Sequence, residues 1–216
     1  MKKSPLNPAG KKNRFSTAWM HAHLNDHYVT EAKRLGYRSR AAFKLIELAQ
    51  KDRLFRPGMT VVDLGAAPGS WCQVLREKLG PAARIIAVDL LPMDGVAGVN
   101  FIQADFREDE GIALVTAALA GRKADLVLSD LAPNLSGVES ADQARSVYLG
   151  ELALDFAGQW LKPGGDLVVK AFQGAGFPEF QRTMQGHFDK VYTRKPKASR
   201  DRSPEVYLVG KGLVVA

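Results

Sequence analysis

Residues Val61 to Trp71 read Val-Val-Asp-Leu-Gly-Ala-Ala-Pro-Gly-Ser-Trp, and no other stretch narrows the choice of fold as far. Apolar, β-branched residues run up to Asp63, give way to a turn of small residues, and open into a helical pattern. That is the pattern of a parallel strand covered on both faces. Gly65, Ala66, Ala67 and Gly69 carry little or no side chain, so a ligand can lie against bare backbone at the carboxyl edge of a sheet. Pro68 suits the turn or a first helical position. The N–H groups of the helix start suit an anion such as a ligand carboxylate. The turn lacks the Gly-x-Gly-x-x-Gly spacing of a dinucleotide site, which argues against pyrophosphate as its ligand.

Beyond Arg56-Pro57-Gly58 the pattern alternates. It predicts strands near 59–64, 84–89, 99–103, 124–130, 165–172, 189–193 and 205–210, with helices near 70–80, 109–121, 140–161 and 177–187. Alternation of this kind means an α/β protein with a doubly wound, Rossmann-like parallel sheet, here of seven strands. A basic loop, not a helix, joins the last two strands, which predicts an antiparallel hairpin at one edge. The helix near 140–161 carries Val147, Leu149, Leu152, Ala153, Phe156 and Trp160 at helical spacing before a Lys-Pro-Gly-Gly stop. Upstream, a first helical segment is expected over Ala18–Leu35 and a second from Arg38, with Ser39 as its N-cap. Ala42, Phe43, Leu45, Ile46, Leu48 and Ala49 form the buried stripe of that second helix. Lys44 falls inside the stripe; such a lysine snorkels to water unless a carboxylate meets it.

The chain of 216 residues, 46% hydrophobic, fits one large domain with appendages. The division expected is a basic, partly disordered arm over 1–35 and a single domain over 36–216. No apolar run approaches the ~20 residues of a membrane span, and the first 25 residues lack a signal-peptide core. Cys72 is the sole cysteine, which suits a reducing cytosol. His21, His23 and His27 have no cysteine or acid cluster beside them and read as surface histidines, so no metal is expected. Charge is uneven: residues 1–53 carry a net +8, residues 54–189 a net −6, and residues 190–202 a net +5. Two basic regions bracketing an acidic body are what a polyanion-binding face built from both chain ends requires. The candidates are Lys11, Lys12, Arg14, Lys33, Arg34, Arg38 and Arg40 from one region, with Arg194, Lys195, Lys197, Arg200 and Arg202 from the other.

Three carboxylates, Asp63, Asp89 and Asp105, are expected to close three consecutive strands beside the small-residue turn. Asp89 lies 24 residues after Gly65, where an acid in such folds accepts hydrogen bonds from ribose hydroxyls. Together the three describe an adenosine pocket. Asp130 closes the fourth strand in Ser-Asp-Leu-Ala-Pro-Asn, and Glu205 opens the last. Lys170, between Val169 and Ala171 in an apolar strand, is costly to bury unless it is paired or poised at the sheet edge.

These motifs carry a resemblance over about Arg38 to Val209. Asp-Leu-Gly-Ala-Ala-Pro-Gly-x-Trp, Asp-Leu-Leu-Pro-Met, Ser-Asp-x-Ala-Pro-Asn, Val-Val-Lys-x-Phe-Gln-Gly and Ser-x-Glu-Val-Tyr resemble those of the FtsJ/RrmJ family of S-adenosylmethionine-dependent ribosomal RNA 2′-O-ribose methyltransferases. The resemblance implies a class I methyltransferase sheet and a Lys-Asp-Lys-Glu catalytic set on Lys44, Asp130, Lys170 and Glu205. It implies S-adenosylmethionine contacts at Gly69, Trp71, Asp89, Asp105 and Asp130, to which the strand-end reading adds Asp63 and Gly65. Ser70 departs from the pattern, standing where a second glycine is expected. The implied substrate is 23S rRNA of the bacterial large ribosomal subunit, at the A-loop uridine, with no membrane or protein partner and a monomeric state. Relatives acting on transfer RNA or an mRNA cap would share the catalytic set. A noncatalytic RNA-binding assembly factor would share the fold. Base amino-methylation fits less well, because Asp-Leu-Ala-Pro replaces the Asn/Asp-Pro-Pro-aromatic loop.

Overall fold

The computed structural model describes residues 26–133, 136–200 and 202–214. Lys11, Lys12, Arg14, His21 and His23 lie outside the described residues. Helices α1 (His27–Arg34) and α2 (Ala41–Asp52) precede the alternating part. That part runs β1 (Thr60–Leu64), α3 (Ser70–Leu79), β2 (Arg84–Asp89), β3 (Val99–Gln103), α4 (Asp109–Leu119), β4 (Ala124–Ser129) and α5 (Glu139–Trp160). It ends with β5 (Leu161–Phe172), α6 (Phe177–His187), β6 (Phe188–Arg194) and β7 (Glu205–Leu213).

The seven strands form one sheet in the order β3-β2-β1-β4-β5-β7-β6. β1 to β5 pair in parallel, while β7 runs antiparallel to both β5 and β6. The final two strands make the expected hairpin, with β6 at the edge. Strand order reverses between β1 and β4, and at such a switch point the loops diverge and leave a crevice.

Apolar side chains alternate across the sheet and bury two layers. On one face Val62, Leu64, Val127 and Val169 pack under α4, α5 and α6, through Val115, Phe156, Phe180 and Met184 among others. On the other, Val61, Leu126, Leu128, Val168 and Val209 pack under α2 and α3, through Leu45, Leu48, Trp71 and Leu75. α1 lies on α2, with the Tyr28 and Phe43 ring centroids 5.5 Å apart and Arg40 ion-paired to Asp26.

Three local readings change. Helix α2 starts at Ala41 with Arg40 as the capping residue; the Ser39 hydroxyl accepts from Ala41 N at 3.2 Å and pairs with Ser70 Oγ at 2.6 Å. That partnership accommodates the serine found where glycine was expected. β5 begins at Leu161, four residues early: Leu161 pairs with Ala124, Lys162–Gly165 bulge out, and pairing resumes with Asp166 opposite Leu126. Helix α5 ends at Trp160, ahead of the Lys-Pro-Gly-Gly run as expected, and that run forms an irregularity within β5. β3 ends at Gln103, so Asp105 stands two residues beyond the strand.

Candidate active site

Parity along the strands decides which charges meet. Val61 and Leu128 face α2 and α3, so Asp63 and Asp130, two residues further along, belong to the same face. The same parity holds for Asp89, four residues after Ile85, and for Lys170, two after Val168. β7 pairs Lys170 opposite Tyr207 and Phe172 opposite Glu205, which carries both β7 residues onto that face. α2 lays Lys44 over it.

Two ammonium–carboxylate pairs result. Lys44 Nζ donates to Glu205 Oε1 at 2.6 Å. Lys170 Nζ donates to the Asp130 carbonyl at 2.6 Å and lies 3.2 Å from Asp130 Oδ1. Both lysines are buried, at 9% and 8% exposure, so neither snorkels free. Tyr207, fully buried, bridges the pairs: its hydroxyl donates to Asp130 Oδ1 at 2.7 Å and accepts from Lys44 Nζ at 3.5 Å. Burial, followed by the Asp130 and Glu205 carboxylates, pushes the phenol well above its ordinary range, which keeps the donated proton in place. Ser199 Oγ donates to Glu205 Oε1 at 2.9 Å. Tyr207 and Ser199 escaped the sequence reading; the available signal for Tyr207 was its place two residues after Glu205, on the same side of the strand.

The small-residue turn borders this cluster. Gly65 has φ +82°, and a Cβ there would stand 2.9 Å from Leu131 N, so only glycine lets the loops after β1 and β4 approach this closely. Asp63 is wholly buried, and its Oδ1 has no hydrogen-bond partner among the described residues, while Oδ2 receives the Cys72 thiol at 3.4 Å. Burial, with the nearby Asp130 and Asp89 carboxylates, pushes Asp63 up to about 7, against the lowering effect of the thiol. Asp89 accepts from Ala67 N at 2.9 Å and Leu91 N at 2.8 Å, tying the turn to the loop after β2. Asp105 is gripped by Arg107, with Nη2 to Oδ2 at 2.5 Å, and this holds its carboxyl below the usual range. Trp71 packs on Tyr207 at 5.9 Å between centroids and donates Nε1 to the Ala41 carbonyl. Leu90 and Leu91 stand 54% and 62% exposed directly after Asp89, apolar surface beside the strand-end carboxylate.

The two basic regions meet next to Glu205. A concavity of about 360 Å³ is lined by Tyr28 and Arg40 from the first region and by Lys197, Ser199, Arg200 and Arg202 from the second, with Asp26. Other expected phosphate contacts have partners inside the protein. Arg194 grips the buried Asp52, with Nη2 to Oδ1 at 2.6 Å, and stacks on Tyr192. Arg34 pairs with Glu31 and Lys195 donates to the Ser203 carbonyl. Arg38 donates to three backbone carbonyls. Lys33 is exposed on α1.

Residues 37–213 match the model of the family described as FtsJ-like methyltransferase. A protein of Azoarcus sp. (strain BH72) named ribosomal RNA large subunit methyltransferase E is 61% identical over 203 residues, covering 94% of this chain and 99% of its own. A protein of the same name from Neisseria meningitidis is 53% identical over 200 residues, covering 93% and 97%. Among solved structures, a Plasmodium falciparum protein provisionally named a ribosomal RNA methyltransferase superposes with a TM-score of 0.74 at 33% identity. It covers 83% of this chain and 100% of its own. A family match over residues 37–213 and relatives this similar over nearly their whole length show that the chain belongs to the FtsJ-like methyltransferase family.

Proposed function

We propose that this protein transfers a methyl group from S-adenosylmethionine to a ribose 2′-hydroxyl of 23S rRNA, at the A-loop uridine of the large ribosomal subunit. It acts as a cytoplasmic monomer whose methyltransferase domain, 36–216, follows a basic arm, 1–35. The observation that carries the reading is the Lys170–Asp130 pair, coupled through Tyr207 to Lys44–Glu205 and set beside the glycine turn. The names of the relatives support the ribosomal substrate.

The residues present fit the methyl donor. S-adenosylmethionine, when bound, supplies a methyl group on positively charged sulfur. The unpartnered Asp63 Oδ1 offers a buried acceptor to the ligand's ammonium, and Asp89 and Asp105 offer carboxylate oxygens to the donors of its adenosine part. Gly65 and Gly69 leave the backbone of the turn after β1 without side chains where the ligand would lie, and Trp71, buried behind the turn, supports it.

Lys170 donates one hydrogen bond to the Asp130 carbonyl and is ion-paired with the Asp130 carboxylate, and its ammonium has a further N–H to offer the ribose oxygen. An ammonium so paired steers the hydroxyl into line and stabilises negative charge developing on oxygen. Asp130, steadied by the Tyr207 hydroxyl, stands ready beside it to receive the proton that the oxygen loses. Lys44, Glu205 and Ser199 hold the neighbouring wall, next to the basic concavity that takes the flanking phosphates.

The test is tritium transfer from methyl-labelled S-adenosylmethionine to large subunits isolated from cells lacking the protein. Label is expected in 2′-O-methyluridine. Lys170→Ala should lower turnover by about 10³ and leave S-adenosylhomocysteine affinity within about twofold, since the lysine contacts the acceptor. Label on a base, or full turnover by the variant, would contradict the reading.

A further inference from the structure

Arg38 was expected at the RNA, yet its side chain turns toward the crevice. Nη1 donates to the Pro68 carbonyl at 2.9 Å and to the Asp94 carbonyl at 2.6 Å, and Nη2 donates to the Gly95 carbonyl at 2.9 Å. Pro68 belongs to the turn after β1, and Asp94 and Gly95 to the loop after β2. One planar guanidinium therefore spans the turn after β1 and the loop after β2, a geometry that a lysine's point charge cannot reproduce.

The backbone around Arg38 is fixed too. Its N–H donates to Gln73 Oε1 at 2.9 Å, and Gln73 Nε2 donates to the Gly36 carbonyl at 2.9 Å, so the α1–α2 linker is clipped to α3. Tyr37 adds a bond to Glu77 at 2.5 Å. Gly69 makes room for the arrangement: it has φ +101°, and a Cβ there would fall 2.5 Å from Arg38 Nη1. The same two segments have a second tie, Asp89, which joins Ala67 N to Leu91 N.

We propose that Arg38 is a positioning residue for the methyl-donor pocket: it holds the turn at 66–69 and the loop at 90–95 at the separation the ligand needs. The inference rests on the S-adenosylmethionine reading above. It reassigns Arg38 from phosphate recognition to cofactor affinity. It also gives the basic N-terminal segment a mechanical link to the crevice, since the linker that carries Arg38 continues into α2 and Lys44.

The experiment measures S-adenosylhomocysteine binding by calorimetry on the full chain without RNA, alongside the KM for S-adenosylmethionine and for large subunits. Arg38→Ala is expected to weaken ligand binding tenfold or more, raise the KM for S-adenosylmethionine in parallel, and leave kcat at saturation and the KM for subunits within twofold. Arg38→Lys, which keeps charge and length, should fall in between; an RNA-contact role would make it nearly normal. Unchanged ligand affinity in Arg38→Ala overturns the inference, as does a rise confined to the KM for subunits or an equal loss of both substrates. Failure of the unaltered protein to bind S-adenosylhomocysteine would instead overturn the methyl-donor reading, and this inference with it.

Discussion

At the scale of single residues, Asp63 departs furthest from ordinary behaviour. Its carboxyl is held near 7 by burial, so between about 4 and 7 the folded chain holds a proton that the unfolded chain has lost. The stability this gives is complete below about 4 and fades as pH rises through 7. A bound ammonium beside Oδ1 reverses the preference, because opposite charge favours the carboxylate. Affinity for S-adenosylhomocysteine should therefore climb between about pH 5.5 and 7.5, with proton release seen in calorimetry near the lower end. Asp63→Asn should flatten that climb and lower affinity above pH 8; a pH-independent affinity in the unaltered protein would contradict the contact. Asp63 was legible in the sequence, as a carboxylate at the end of an apolar strand. Tyr207 was not, because a tyrosine in a strand reads as an ordinary β-former until pairing with β5 sets it opposite Lys170. The Arg38 tether was illegible for another reason: its acceptors are backbone carbonyls, which leave no trace in residue identity.

At the scale of elements, the site is a consequence of strand parity and of how closely helices approach the sheet edge. Helix α4 shows the second effect. A Cβ at Gly111 would lie 2.0 Å from the Asp105 carbonyl, so the first turn of α4 rides directly on the backbone of a carboxylate assigned to the adenosine pocket. Gly111→Ala should push the helix away at a cost of about 1–3 kcal/mol. It should also weaken S-adenosylhomocysteine binding while the pairing of Lys170 with Asp130 is untouched. Thermal melting and calorimetry together check this, and an affinity unchanged in a destabilised protein would show that Asp105 is not held by α4. The elements themselves were readable from apolar runs and turn residues. Their errors fall where a local signal was overruled by pairing, as at Leu161, which joins β5 despite the Pro-Gly-Gly that follows because Ala124 is there to receive it.

At the scale of the whole molecule, charge separation along the chain becomes a surface. Both basic regions contribute to the concavity beside Glu205, while the acidic middle supplies β1 to β5 and helices α3 to α6. Binding to large subunits should weaken steeply with salt, as counterions return to the phosphates. Lys197→Glu with Arg202→Glu should flatten the dependence of log affinity on log salt by about two units, one per lost phosphate contact. Ligand affinity in the crevice should not change. A salt slope equal to that of the unaltered protein would place the RNA elsewhere on the surface. Ribose-methylation mapping of 23S rRNA tests the central claim most directly, in cells lacking this protein and in the same cells supplied with either the unaltered chain or Lys170→Ala. The account predicts one A-loop uridine that is unmethylated without the protein, restored by the unaltered chain and left bare by the variant; methylation that persists without the protein, or returns with Lys170→Ala, would contradict it.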